Sequence, residues 1–316
     1  PAQQNKVDQL IGRYKDTVFN DTPNPDKFLD APPMVINLKQ NARPSYTPAN
    51  RRCPKNYEPH VEVMKRQLLK AGVMSEVDYN QPSPWLAPTF VVVKQGKTVE
   101  EHGHKALRVV SDFGGLSKQT ERGVGTFLTT EDVIKNIPES ARYFFVVDMS
   151  NGYFQIRLAK ESQNLTTTLF EGKRYKFNRC PQGLSTSGDY FNQVTDRVFA
   201  NIPGIQKLVD DIIGYSDTFE GLMIVFESVL AAAELANITM TLPKVQCGLK
   251  VSFAGAVISH CGTSPDPKKV SALTNMERPE NIAELRTFIG MVNQFHKWMP
   301  DSTQSTVLMR ALLSPR

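Results

Sequence analysis

Six consecutive residues constrain this chain more than any others: Leu208-Val209-Asp210-Asp211-Ile212-Ile213 sets two adjacent carboxylates inside an otherwise apolar run. Apolar flanks of this length read as two short buried strands joined by a turn that carries the acids. Two carboxylates about 4 Å apart repel by roughly 1–4 kcal/mol at effective dielectrics of about 80 to 20. A divalent cation, bound through oxygen ligands, is the natural compensation. An isolated Asp-Asp is ordinarily a solvated turn, but the apolar brackets argue against that here.

A third acid strengthens the case. Asp148 closes the apolar strand Phe144-Phe145-Val146-Val147 and is followed by Met149-Ser150-Asn151-Gly152-Tyr153-Phe154. A strand end aims its side chain rigidly, and three converging acids would hold Mg²⁺. In phosphoryl transfer one metal ion activates the attacking hydroxyl while another steadies the leaving pyrophosphate, the two lying roughly 3.5–4 Å apart. Two strands presenting acids side by side suit that geometry.

The rest of the chain alternates sheet and helix signals. Within residues 1–55, Pro23, Pro25, Pro32, Pro33, Pro44 and Pro48 block long helices, so this part reads as an extended strap or linker. Val61, Met64, Leu68 and Leu69 have helical spacing over 58–71, closed by Gly72. Strand patterns cover 89–94, 107–111, 143–148, 154–158 and 165–170, and Glu171-Gly172-Lys173 turns the last of these into 175–178. Residues 184–200 and 219–236 read as helices on either side of the acidic hairpin at 206–216, and 251–259 reads as a strand. A final helix begins near Ile282, with Asn281 as its cap, Glu284 three residues on, and Leu285, Phe288, Val292, Phe295 and Met299 as an apolar stripe. There is no internal repeat or low-complexity segment.

Composition narrows the function classes only mildly. The 316 residues, 40% hydrophobic and 22% charged, can bury a sizeable core in one to three folding units. A formal charge of +5 and a pI near 8.9 slightly favour a polyanionic partner. Cys53, Cys180, Cys247 and Cys261 are far apart with no CxxC pair, which indicates reduced thiols rather than a zinc site or disulfide framework. His102-Gly103-His104 lies in a polar loop and reads as solvated rather than metal-binding. No run approaches the ~18 apolar residues of a membrane span, and Pro1 to Leu10 are polar rather than signal-like. The chain starts without Met, as a cut or processed piece would.

Several motifs in order resemble the reverse transcriptases of retroviruses and, more closely, of gypsy-type long-terminal-repeat retrotransposons. Ser83-Pro84-Trp85-Leu86-Ala87-Pro88 resembles a fingers motif, and Arg108-Val109-Val110-Ser111-Asp112-Phe113 its following strand. Residues 148–158 resemble the first catalytic motif, Arg179-Cys180-Pro181-Gln182-Gly183-Leu184 the loop and helix over the incoming nucleotide, and Leu208-Val209-Asp210-Asp211 the catalytic hairpin. Phe253-Ala254-Gly255-Ala256-Val257-Ile258-Ser259 is similar to the primer grip. The runs from Ser264 to Val270 and from Glu284 to Asn293 resemble the start of a gypsy thumb. The resemblance covers about residues 30–316.

It implies an α+β right-hand polymerase fold: strap 1–55, fingers 56–121 and 156–186, palm 122–155 and 187–260 with an antiparallel sheet, and helical thumb 261–316. The implied activity is RNA-directed DNA synthesis, extending a primer with dNTPs on RNA or DNA template by two Mg²⁺ ions, with Mn²⁺ as the alternative. Asp148, Asp210 and Asp211 would be metal ligands, joined by the Met149 carbonyl. Tyr153 would exclude a 2′-hydroxyl, Arg108 would neutralise the triphosphate, Gln182 and Gly183 would lie against the nucleotide, and Lys244 would protonate the leaving pyrophosphate. Phe253 and Gly255 would belong to the primer grip. The second triphosphate lysine is Lys94, Lys97 or Lys105, and the resemblance does not choose. Protease, ribonuclease H and integrase are expected in a parent Pol polyprotein, with an intracellular, cytoplasmic setting in virus-like particles and no membrane partner. No ribonuclease H carboxylate set is visible in the chain, so strand removal is expected to come from elsewhere.

The pattern has departures. Leu208 replaces the tyrosine that usually begins the catalytic hairpin, Gly114 and Ser117 replace an arginine and an asparagine, Gln182 is more retroviral than gypsy-like, and Gly188-Asp189 replace a small-residue and proline pair. A catalytically inactive nucleic-acid-binding descendant is the rival reading, but it would not need three acids together. An RNA-templated RNA polymerase generally carries a smaller residue at Tyr153, and nothing supports a capsid role.

Overall fold

The computed structural model describes residues 2–19, 26–49, 51–94, 96–123, 128–299 and 301–313; Pro23, Pro25 and Gln95 lie outside the described residues. Its helices of eight or more residues are α1 (Ala2–Tyr14), α2 (Glu58–Lys70), α3 (Ser185–Phe199), α4 (Phe219–Leu235), α5 (Pro267–Thr274) and α6 (Ile282–Asn293). Its strands are β1 (Met74–Glu76), β2 (Ala87–Val93), β3 (Leu107–Ser111), β4 (Tyr143–Asp148), β5 (Thr168–Phe170), β6 (Lys173–Phe177), β7 (Ile205–Leu208), β8 (Asp211–Ser216), β9 (Gln246–Gly248), β10 (Lys250–Phe253), β11 (Ala256–Ser259) and β12 (Gly262–Pro265). They form a five-stranded sheet ordered β1-β6-β5-β2-β3, a four-stranded sheet ordered β7-β8-β4-β9 and a three-stranded sheet ordered β10-β11-β12. Every pairing in the four-stranded sheet is antiparallel. This is the expected α+β class.

The four-stranded sheet is buried on both faces, which explains why β4 is a continuous apolar run rather than an alternating one. Successive strand side chains point to opposite faces. Phe145 and Val147 join the large core that includes Ile212 and the α4 residues Leu222, Phe226 and Val229. Phe144 and Val146 join a smaller core with Val133, Ile213, Val251, Phe253 and Ile258. Phe145 stacks on Phe226 with centroids 4.5 Å apart, and burying one such ring is worth about 1.5–3 kcal/mol. Gly214 pairs with Phe145 across the ladder, and a Cβ there would run into the Phe145 ring. The missing side chain therefore lets that ring lie over β8. Alternation then puts Asp148 and Asp211 on the face of Phe144 and Ile213, beyond the edge of the smaller core.

Five expectations are corrected. The 165–170 strand keeps only Thr168–Phe170, because Asn164–Thr166 is a 3₁₀ turn in which the Thr166 and Thr167 hydroxyls donate to the Gln163 and Asn164 carbonyls. Residues 2–14 are helical rather than strap, because the breaking prolines all come later. Val7 and Leu10 are buried, and Arg13 pairs with Glu227 of α4 at 2.7 Å. The 154–158 strand is instead a 3₁₀ turn, Gly152–Gln155, followed by isolated bridges. Asn151 takes φ +48°, and the buried Gln155 amide bonds the Ser150 and Thr239 carbonyls and the Thr239 N–H in place of a ladder. The 251–259 strand is two strands, β10 and β11, around a two-residue turn in which Ala254 and Gly255 take φ +48° and +80°, the twist-compatible hairpin geometry. The stripe does not reach Met299, which is exposed after α6 has ended at Asn293; of the expected residues Val292 and Phe295 are buried and Leu285 and Phe288 half-buried, and Ile289 is buried as well.

Candidate active site

Antiparallel pairing sets Asp148 of β4 directly opposite Asp211 of β8. β7 and β8 pair Leu208 with Asp211, so Val209 and Asp210 alone make the turn. Val209 takes φ +57°, a conformation costing a β-branched residue about 1–3 kcal/mol and held only by its surroundings. The Met149 N–H donates to the Asp210 carbonyl at 2.8 Å. Met149 itself is buried at the position just after β4 and bridges Met240.

The three carboxylates crowd one another. Burial first, then the charges of Asp210 and Asp148, push the Asp211 carboxyl up to about 6, and burial with the charge of Asp148 raises Asp210. Lys244 donates to Asp148 at 2.8 Å from a side chain that is 62% exposed. Among the described residues no three His, Cys, Asp or Glu side chains close into a ligand shell; here the Lys244 ammonium takes up part of the negative charge. The donor set nevertheless fits a hard divalent cation, because three oxygen acids repel at short range and two of them are pushed toward protonation.

A cationic rim faces the acids. Arg108 is exposed on β3, and the charges of Arg108 and Lys244 both act on Asp210. Burial lowers the pKa of Lys94, and the charges of Lys97, Arg108 and Lys244 lower it further. The Lys105 carbonyl accepts from the Lys94 ammonium at 3.0 Å. Lys94 thus shares the field of Lys97, Arg108 and Lys244.

Tyr153 is half-buried on the 3₁₀ turn after β4 and meets Phe191 of α3 edge-on at 5.5 Å. Burial, then the charges of Asp210 and Asp189, raise its pKa. Gly152 is required beneath it, since a Cβ would come within 2.7 Å of the Phe191 ring. Gln182 is half-buried and Gly183 exposed. Gly183 takes φ +93°, and a Cβ would land on the Ser111 carbonyl oxygen, so close approach to β3 already demands glycine there. Phe253 is 2% exposed inside the smaller core, so its side chain anchors the β10–β11 hairpin from below. Gly255 lies under the Lys269 side chain of α5.

Two features escaped the sequence reading. Asp189 receives a bidentate pair from Arg122 at 2.7 and 3.0 Å, so the unusual acid in α3 comes with its own partner. Lys207 is half-buried on the opposite face of β7 from Leu208, with its side chain largely enclosed; the signal available was a lysine three residues before the acids in a strand that also holds Ile205 and Leu208.

A model of the family described as reverse transcriptase (RNA-dependent DNA polymerase) matches residues 91–273, more than half of the chain and all three acids. The chain belongs to this family. Among relatives of the reverse transcriptase segment, it is 28% identical over 239 residues to the Drosophila melanogaster retrovirus-related Pol polyprotein from transposon gypsy, covering 75% of this chain and 22% of that one. It is also 28% identical over 251 residues to the polyprotein from transposon opus of the same fly, covering 78% and 24%, and 22% identical over 303 residues to the Gag-Pol polyprotein of walleye dermal sarcoma virus, covering 93% and 16%. The chain thus spans less than a quarter of these polyproteins, and the gypsy-type resemblance stands. The foamy viral protease-reverse transcriptase dRH, solved in complex with ds DNA, superposes with a TM-score of 0.86 at 22% identity over 99% of this chain and 52% of that one. The fold is therefore the right-hand polymerase fold of the reverse transcriptases, a family whose members generally depend on a divalent metal. Among the described residues no helix is long and apolar enough to cross a membrane.

Proposed function

We propose that this chain is the polymerase part of a gypsy-type Pol polyprotein, an RNA-directed DNA polymerase that adds dNTPs to a primer on an RNA or DNA template. The observation that carries this reading is the ladder pairing of Asp148 with Asp211, with Asp210 on the adjoining turn. Asp148, Asp210 and Asp211, with the Met149 carbonyl, are the residues that would hold two Mg²⁺ ions, Mn²⁺ being the alternative. When bound, such a pair supplies Lewis-acid activation of the primer hydroxyl and charge neutralisation at the leaving pyrophosphate.

The chain's own residues do the rest. Arg108, permanently charged and fork-shaped, binds triphosphate oxygens, and Lys94 adds a second cation from the neighbouring strand end. Lys244, exposed at the rim and already within 2.8 Å of Asp148, transfers a proton to the departing pyrophosphate. The Tyr153 ring, braced by Phe191, lies under the sugar and excludes a 2′-hydroxyl, while Gln182 and Gly183 line the nucleotide. The Ala254-Gly255 turn, rather than the buried Phe253 ring, presents the primer grip. Template and primer bind through phosphates and shape, since every sequence must be accepted. The subdomain boundaries are those given above, with α1 preceding the strap. The parent polyprotein would add protease, ribonuclease H and integrase and act in cytoplasmic virus-like particles.

Extension of a DNA primer on RNA and DNA templates, with dNTPs and ribonucleotides in separate reactions, tests this reading. Deoxynucleotide incorporation on both templates is expected. Ribonucleotide preference would overturn the role of Tyr153, and primer-template binding without extension would favour the inactive nucleic-acid-binding descendant.

A further inference from the structure

Lys207 carries a chemistry that the proposed reaction does not use. Its side chain is only 9% exposed, yet it ends in an ammonium among three oxygens: Asn192 Oδ1 at 3.1 Å, the Val209 carbonyl at 3.3 Å and Asp196 Oδ1 at 3.0 Å. Asn192 and Asp196 are four residues apart on α3 and so share one helix face. Strand alternation sends Lys207 toward that helix and Leu208 toward the smaller core. A buried ammonium is retained only where its donors are matched, and here one of the matching acceptors is the backbone of the catalytic turn itself.

That acceptor belongs to Val209, the residue in the left-handed region immediately before Asp210. A strained conformation persists only where the surrounding structure over-determines it. From the β4 side the turn is fixed by the Met149 N–H on the Asp210 carbonyl. From the α3 side the contact that reaches its backbone is Lys207. We infer that Lys207 is a positioning residue: it ties the strained Val209-Asp210 turn to α3 and thereby aims the Asp210 and Asp211 carboxylates. It touches neither nucleotide nor metal in this assignment and acts through the Val209 carbonyl.

Only the activity arm of the test rests on the polymerase reading. In metal-free protein, hydrogen exchange of the segment 205–213 is compared between wild type, Lys207→Met and Lys207→Arg, and primer extension is followed on the same samples. Lys207→Met is expected to speed exchange of the turn on the order of tenfold and to lower kcat on the order of tenfold or more, with primer-template Kd unchanged. Lys207→Arg, which keeps the cation, is expected to restore both. A folded Lys207→Met with wild-type exchange and wild-type kcat would overturn the assignment. Should Lys207→Met not fold, Asn192→Ala, which removes one anchor and keeps the lysine, decides by the same exchange measurement: faster turn exchange supports the assignment, and wild-type exchange overturns it. If wild-type protein does not extend a primer, the polymerase reading falls while the exchange comparison still judges Lys207.

Discussion

Asp211 faces like charges on two sides, Asp148 across the ladder and Asp210 before it, in a half-buried position. The folded carboxyl titrates near 6, against an ordinary value of 3.8. Between those values the folded state binds more protons than the unfolded one, so stability of metal-free protein falls as pH rises through that window. Asp211→Asn removes the penalty and is expected to stabilise the protein in chelator at pH 7.5 by about 1–2 kcal/mol after allowance for solvent screening. Thermal scans at pH 4 and pH 7.5 check this; a destabilised variant at pH 7.5 would contradict it. Mg²⁺ should raise the wild-type melting temperature above pH 6 and leave Asp211→Asn nearly unmoved, because only a site that binds the ion gains by mass action. Tyr153→Val removes the ring that meets Phe191, and discrimination against ribonucleotides is expected to fall on the order of tenfold or more, read as the ratio of kcat/KM values.

The strands that carry the acids are held by packing, and the polar tie from Lys207 is confined to the turn between β7 and β8. Phe226 of α4 stacks on Phe145 of β4, so Phe226→Ala should cost about 3–5 kcal/mol and lower the denaturation midpoint without changing the ligand set. Gly214→Ala should also destabilise, since β8 cannot accept a Cβ under that ring. β3, β4, α2, α3 and α4 were legible because their apolar periodicity and end signals agree. The catalytic hairpin was legible because its two apolar arms flank the acids. The 154–158 misreading arose because Gln155 supplies by side chain the hydrogen bonds a strand would supply by backbone, which no periodicity records, although Asn151-Gly152 was a turn signal. The 251–259 region concealed its turn because Ala254 is an unusual residue for a left-handed position. The Arg122–Asp189 pair was not legible because its members are distant in sequence and meet only through the tertiary fold, and the role of Lys207 was not legible because only the fold lays α3 against β7.

At the scale of the whole molecule, five-stranded and four-stranded sheets bring a cationic rim and an anionic centre together. Lys94 and Arg108 come from the first sheet, and Asp148, Asp210 and Asp211 from the second and its turn. On the proposed function, the cationic rim and the net charge of +5 predict a salt-sensitive affinity for a primer-template, because phosphate neutralisation releases counterions. Affinity should therefore fall steeply between about 50 and 200 mM salt. Whether these three acids form a polymerase centre is decided by Mg²⁺-dependent primer extension on an RNA template by wild-type protein and Asp210→Asn. Extension by wild type that disappears in a folded Asp210→Asn still binding primer-template is the predicted result; equal extension by both would contradict the account.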